Sequence, residues 1–201
     1  MGYFIAIEGP NGSGKSTFAS LLSSRLSANP THLTKTHLTK EPSNTPLGNL
    51  VRNAEESLAG ESLALAVAAD RHHHYHREIA SALSCDATVI TDRYIASSLA
   101  LQSLDGVKME YTYQINALVP PPDCSFYLDV DVATLGLRLS ARTSLSRFER
   151  ESSRRDERAA FERAFAFLES KGWNQHWIHA TGLDCQGVVD AAIALLPSGQ
   201  A

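Results

Sequence analysis

The segment Gly9-Pro10-Asn11-Gly12-Ser13-Gly14-Lys15-Ser16 has the residue types and the GxxxxGK[ST] spacing of a polyphosphate cradle. Its glycines let successive backbone amides curl around phosphate oxygens, and a helix starting near Lys15 points its positive end at the same anion. Lys15 would reach the β and γ phosphates, and the Ser16 hydroxyl would coordinate a bridging Mg²⁺, with Thr17 adjacent but not a metal ligand. A glycine-rich helix-capping turn is the alternative, and the strand before the segment and the helix after it favour the nucleotide site. Kinases, GTPase switches and mechanical ATPases all use such a loop, so it points to a triphosphate donor and leaves the acceptor open.

A second group of reactive residues closes the run Val89-Ile90-Thr91-Asp92-Arg93. An acid and a base at the end of a buried strand lie where ligands bind in parallel-sheet folds. Asp92 could hold Mg²⁺ through water or position the acceptor, and Arg93 could grip an acceptor phosphate with two hydrogen bonds. A surface ion pair between them is the plainer alternative. Arg138, Arg142, Arg147, Arg150, Arg154, Arg155, Arg158 and Arg163 then gather eight of the chain's 18 basic residues into one interval. Arginine suits planar phosphate recognition, and Arg138 and Arg142 are spaced to share a helix face. From Arg154 onward, pairing with Glu149, Glu151, Asp156, Glu157 and Glu162 along a solvated helix is the preferred reading.

These words fall in the order and spacing of a known family. Phe4–Gly9 with Gly12–Thr17, Thr39-Lys40-Glu41-Pro42, Asp92-Arg93-Tyr94 with Ser97-Ser98, Tyr127–Asp131, and Arg147-Phe148-Glu149 together resemble the thymidylate kinase family of P-loop nucleoside monophosphate kinases. The resemblance implies ATP and Mg²⁺ as cofactors, with the P-loop (Gly9, Asn11–Thr17), Arg138 and Arg142 on the donor side. It implies an acceptor pocket that includes Glu41, Pro42, Arg71, Arg93, Ser98 and Gln102, and a homodimer. The family's catalytic arginine sits either in the P-loop or in the lid. This loop carries none, so Arg147 in a lid at about 142–155 is expected to approach the transferred phosphate. A monophosphate acceptor has a second pKa of about 6 and is already a nucleophile at pH 7, so no strong protein base is required. A hydroxyl acceptor would need one, with Asp92 and Glu41 as candidates.

Three positions depart from the family pattern. Asn11 stands in place of the loop aspartate, Val67 in place of the aromatic that stacks on the base, and Leu101 in place of a tyrosine near the sugar 2′ position. The phosphate-handling residues thus survive while the nucleoside pocket is altered, a pattern that a modified pyrimidine nucleotide or another phosphorylated small molecule would accommodate, with thymidylate or a related pyrimidine deoxynucleotide the favoured acceptor from the resemblance. The unusual run Arg71-His72-His73-His74-Tyr75-His76-Arg77 invites a metal reading, but a solvated or pocket-lining helix is preferred, with His72 the first choice for a ligand contact. His179–Gly182 resembles the family's adenine-side loop, which implies a place beside the donor base, and Trp173 and Trp177 are expected in the core or at an interface.

The elements that must carry these residues follow from pattern. Short apolar runs at Tyr3–Ile7, Ala87–Ile90, Ser125–Leu128 and Trp177–Ala180, with a weaker one at Thr34–Thr39, alternate with helical spacing. Helices are expected at Lys15–Leu26, Thr45–Ala59, Glu61–Leu83, Ile95–Leu104, Lys108–Leu118, Val132–Ala141, Arg154–Lys171 and Gln186–Leu196. The alternation predicts an α/β, three-layer P-loop NTPase fold, with a mainly parallel five-stranded sheet, helices on both faces and an Arg-rich lid. Thr31–Lys35 and Thr36–Lys40 repeat one word, too short a duplication for a solenoid.

The 201 residues suit one domain spanning 1–201. A formal charge of −4 argues against bulk nucleic-acid binding but not against nucleotides, because the positive charge is concentrated near the loop. Three widely spaced cysteines suggest neither disulfides nor zinc, and no apolar run approaches the roughly 20 residues of a membrane span. A cytoplasmic kinase is expected. A P-loop kinase for another small molecule and a nucleotide-dependent switch or regulatory ATPase are the alternatives.

Overall fold

The computed structural model describes residues 2–28 and 35–197. Thr31 to Thr34, the start of the duplicated word and of the Thr34–Thr39 expectation, lie outside the described residues, as do Met1 and the last four residues of the 1–201 span. Five strands, β1 (Tyr3–Glu8), β2 (Thr36–Lys40), β3 (Thr88–Asp92), β4 (Cys124–Asp129) and β5 (Gln175–His179), pair in the order β2-β3-β1-β4-β5. Every pairing is parallel, with Ile7 opposite Asp92 and Glu8 opposite Tyr127. The expected mainly parallel sheet is the one observed, with each strand within two or three residues of its sequence position.

Strand alternation sends neighbouring side chains to opposite faces. Ile5 and Ile7 of β1 pack with Phe18, Leu22 and Leu26 of α1 (Lys15–Ala28) and with Val188, Val189 and Ala192 of the C-terminal helix, Cys185–Ile193. Phe4 and Ala6 face the other way, onto Ile95 and Leu99 of the helix Ile95–Leu104 and Phe161, Ala164 and Leu168 of the helix Arg154–Glu169. Two apolar layers therefore clamp one sheet. Each fully buried Leu, Ile or Phe contributes roughly 1.5–3 kcal/mol of transfer free energy. Trp173 and Trp177 join the second layer as expected, Trp177 stacking on Phe165 with ring centroids 5.1 Å apart.

The remaining helices follow in chain order: α2 (Pro46–Ala54), α3 (Gly60–His74), α4 (Ala80–Ser84), α5 (Ile95–Leu104), α6 (Met109–Ile115), α7 (Val132–Ser140), α8 (Arg147–Glu151), α9 (Arg154–Glu169) and α10 (Cys185–Ile193). The single helix expected over Glu61–Leu83 is interrupted by a π turn at Tyr75–Ile79, which connects α3 directly to α4. Helix α8 lies inside the segment expected to be only a lid.

The loop from β2 to α2 shows how the fold positions the site. Buried Asp70 on α3 accepts hydrogen bonds from the Ser43 amide (2.7 Å) and hydroxyl (2.6 Å), which pins the turn that carries Glu41 and Pro42. At Gly48 a Cβ would lie 2.0 Å from the Ser43 carbonyl oxygen, so only glycine lets α2 approach this turn.

Candidate functional site

The C-terminal ends of β1, β3 and β4 deliver the phosphate loop, Asp92-Arg93 and Asp129 to the edge of the sheet where its strand order reverses. The loop turns sharply at Gly9, where φ is +133° and a Cβ would lie 2.9 Å from the Leu128 carbonyl oxygen, leaving no room for a side chain. Lys15 lies buried against the loop, its Nζ donating to the Pro10 carbonyl at 2.7 Å. Burial, reinforced by the nearby Arg93 guanidinium, lowers its pKa to about 7. An anion in the loop would oppose both effects and favour the charged ammonium.

Ser16 donates to Asp92 Oδ2 at 2.5 Å, while Asp92 Oδ1 is buried without a hydrogen-bond partner. A hydroxyl touching a carboxylate that keeps a buried oxygen unsatisfied is a donor set suited to a hard cation. The residues expected to hold Mg²⁺ are thus together. Arg93 is held at φ 78°, unusual for a residue with a Cβ, and its Nη2 donates to Asn11 Oδ1 at 2.5 Å while Nη1 donates to Ser97 at 3.1 Å.

Three adjoining cavities surround these groups. One of about 180 Å³ is lined by Asn11, Gly12, Gly14, Lys15, Ser16, Thr17, Asp92, Arg93 and Arg142, the phosphate end. A second, of about 340 Å³, shares Gly12, Gly14, Thr17 and Arg142 with it and extends to Arg138, Ala180, Leu183 and Cys185. Arg138 donates there to the carbonyls of Gly12 (3.3 Å) and Ser13 (3.1 Å), and Ala180 brings the expected His179–Gly182 loop to the same wall. The third, of about 230 Å³, lies on the opposite side and contains Glu41, Pro42, Val67, Arg71, Arg93, Ser98, Leu101 and Gln102, which are all of the expected substrate-side positions. Asn11 and Arg93 line both this cavity and the phosphate end.

The floor of the third cavity is an ionic network. Arg71, 1% exposed, donates to Glu41 (2.7 Å), Asn116 (2.8 Å), the Tyr94 carbonyl (3.1 Å) and Ser98 (2.8 Å). Four of its five N–H groups are thereby committed to protein. Taking two ions from water is costly, and these additional bonds are what make the buried Arg71–Glu41 pair tolerable.

Two expectations require correction. Arg147 does not approach the phosphate end. It makes a bidentate pair with Asp105 (2.8 and 2.6 Å) and donates to the Glu55 carbonyl at 2.9 Å, because this planar fork fits a carboxylate at the end of α5. The arginine of the 142–155 segment that lines the phosphate end is Arg142, which also pairs with Glu149 at 2.5 Å. His72 bonds the Ile115 carbonyl at 3.0 Å rather than lining the acceptor cavity; the buried histidine near Glu41 is His74, held by Thr39 at 2.8 Å. Among the described residues no cluster of three or more His, Cys, Asp or Glu could hold a metal.

Sequence reasoning missed two buried acids. Glu157 on α9, 0% exposed, accepts the Asn11 backbone amide at 2.7 Å and so anchors the phosphate loop, although it was expected on a solvated face. Its spacing to Ala160, Phe161, Ala164 and Leu168 puts it on the apolar stripe, a signal that was available. Glu8 accepts from the Tyr94 amide (3.0 Å) and Ser97 (2.5 Å), and burial raises its pKa to about 7. It aligns the start of α5 with the loop that follows β1.

A parallel sheet with this phosphate loop at its C-terminal edge, and a further cavity joined to it through Arg93, defines a P-loop nucleotide-binding fold. The family model for thymidylate kinase matches residues 7–179. A probable thymidylate kinase of Pyrobaculum aerophilum is 42% identical over 151 residues, 73% of this chain and 74% of that protein. A second, from Pyrococcus abyssi, is 38% identical over 157 residues, 74% of this chain and 75% of that one. The crystal structure of thymidylate kinase from Ehrlichia chaffeensis superposes with a TM-score of 0.71 at 28% identity, covering 96% of this chain and 98% of that one. The chain belongs to the thymidylate kinase family and is an ATP-dependent nucleoside monophosphate kinase.

Proposed function

We propose that the enzyme transfers the γ-phosphoryl group of ATP to thymidylate or a closely related pyrimidine deoxynucleotide, with Mg²⁺ held through Ser16 and Asp92. The observation that carries this reading is that Asn11 and Arg93 line both the acceptor cavity and the phosphate end. An acceptor monophosphate gripped by Arg93 would meet the γ-phosphate beside Lys15 with no intervening wall, and positioning two anions is most of the work in such a transfer. Lys15, Arg93 and Arg142 offset their repulsion, and the bound cation supplies further charge neutralisation at the donor phosphates. The acceptor oxygen is already ionised, so none of these residues has to remove a proton.

The base preference rests on two groups at the same cavity. Gln102 Oε1 is buried without a partner, and Arg71 keeps one N–H uncommitted. An acceptor beside a donor suits a base edge that presents N–H next to C=O, the edge of thymine or uracil rather than that of cytosine. Aliphatic Val67 and Leu101 leave the walls free of aromatic stacking from α3 and α5, which favours tolerance toward modified pyrimidines.

Residues 142–155 serve as the lid, the assembly is a homodimer as the family resemblance suggests, and the setting is the cytoplasm. Among the described residues no helix is long and apolar enough to cross a membrane. The test is ADP release with ATP and Mg²⁺ across a panel of nucleoside monophosphates and nucleosides. Thymidylate is expected to be turned over fastest, deoxyuridylate next, and thymidine not at all. Turnover confined to hydroxyl acceptors, or acceptor-independent hydrolysis alone, would overturn the reading.

A further inference from the structure

The acceptor cavity has one aromatic lining residue among the described residues, and it comes from neither α3 nor α5. Val67 and Leu101 present aliphatic walls, with Leu63 and Val51 beside them, and the aromatic is Phe148 on the lid helix α8. Phe148 is almost wholly buried. The Arg147 guanidinium covers one face of its ring at 4.4 Å from the centroid, so only the other face and the edge remain for the cavity. That guanidinium is fixed by its bidentate pair with Asp105 and by the Glu55 carbonyl, and α8 is oriented by a reciprocal capping box between Ser146 and Glu149. The Phe148 amide also faces Glu55 Oε1, at 3.4 Å. The ring is therefore held over the cavity by contacts to α5 and to the end of α2, with no ligand required.

We infer that Phe148 is the aromatic face against which the acceptor base packs. This rests on the acceptor cavity being a nucleotide site, as proposed above. Arg147 becomes a positioning residue, acting through the ring it clamps and not on the transferred phosphate. Because those contacts fix the ring before any acceptor arrives, the site for the base is preformed.

The experiment compares wild type with Phe148→Leu, which keeps apolar bulk and removes the π face, and with Phe148→Trp, which restores it. Steady-state turnover of thymidylate and ATP is measured together with calorimetric thymidylate binding and the thermal midpoint. For Phe148→Leu, the acceptor KM and Kd are expected to rise about ten- to a hundredfold, the usual effect of losing one base–aromatic stack. The KM for ATP stays within about threefold, and Phe148→Trp recovers most of the acceptor affinity. An unchanged acceptor KM in a folded Phe148→Leu protein would overturn the inference, as would equal rises in both KM values. Wild type inactive toward every nucleoside monophosphate would instead refute the underlying assignment of the cavity.

Discussion

Lys15→Met is expected to lower kcat by about 10²–10³-fold, the scale of removing one preorganised charge from a developing phosphoryl anion. The lysine is buried in the loop with its Nζ on the Pro10 carbonyl, and it lines the cavity where the donor phosphates belong. Stability is expected to move the other way. The folded-state pKa is depressed from the usual 10.5 to about 7 by burial and by Arg93, so between pH 7 and 10.5 the unfolded chain binds the extra proton. Folding therefore carries a cost that is full below about pH 7 and fades as pH rises toward 10.5. Methionine removes that cost while filling the same space. The ligand-free variant should melt at or above the wild-type temperature at pH 7, measured by calorimetry. A variant that loses activity and stability together would instead mark Lys15 as structural.

Arg93→Ala is expected to reduce kcat/KM for the acceptor about 10³-fold, with the KM for ATP changed by less than about threefold. Among the described residues Arg93 is the one cationic side chain that lines both the acceptor cavity and the phosphate end. Its loss leaves the acceptor dianion without its bidentate partner and Asn11 without its 2.5 Å bond. Arg93→Lys should recover only part of the rate, because an ammonium keeps the charge but not the planar fork. The backbone provides an internal control. At φ 78° an arginine pays left-handed strain of about 1 kcal/mol or more, which glycine does not, so Arg93→Gly should be as inactive as Arg93→Ala and yet more stable. Initial-rate kinetics with each substrate varied, alongside thermal melts, separate these outcomes. A large rise in the KM for ATP would show that the arginine belongs to the donor.

Much of this was legible in the sequence because it rests on local rules. The apolar runs and the GxxxxGK[ST] spacing are each set within a few residues, and their alternation with helices implies the parallel sheet, whose order β2-β3-β1-β4-β5 only the structure supplies. The words holding Glu41, Arg71, Arg93, Ser98 and Gln102 also converge, since the fold brings all five to one cavity. What was not legible depended on partners distant in sequence. Arg147 looked like a phosphate ligand until Asp105, 42 positions away, claimed it. Glu157 looked solvated, although its place on the apolar stripe of α9 brings it under the Asn11 amide, 146 positions away. The π turn at Tyr75–Ile79 has no signature in a run of histidines that otherwise reads as continuous helix. Helix α8 did have a signature, the Ser146-x-x-Glu149 capping box, which a reading focused on lid arginines passed over.

The central claim is that donor and acceptor phosphates meet between Lys15 and Arg93. Its most direct measurement is a crystal structure with a bisubstrate analogue, adenosine joined to deoxythymidine through five phosphates. The expected result places adenine against Leu183 and Cys185, thymine between Val67, Leu101 and Phe148, and the bridging phosphates within hydrogen-bond distance of both Lys15 Nζ and the Arg93 guanidinium. Thymidine bound outside the acceptor cavity, or a phosphate chain that bypasses Arg93, would contradict it.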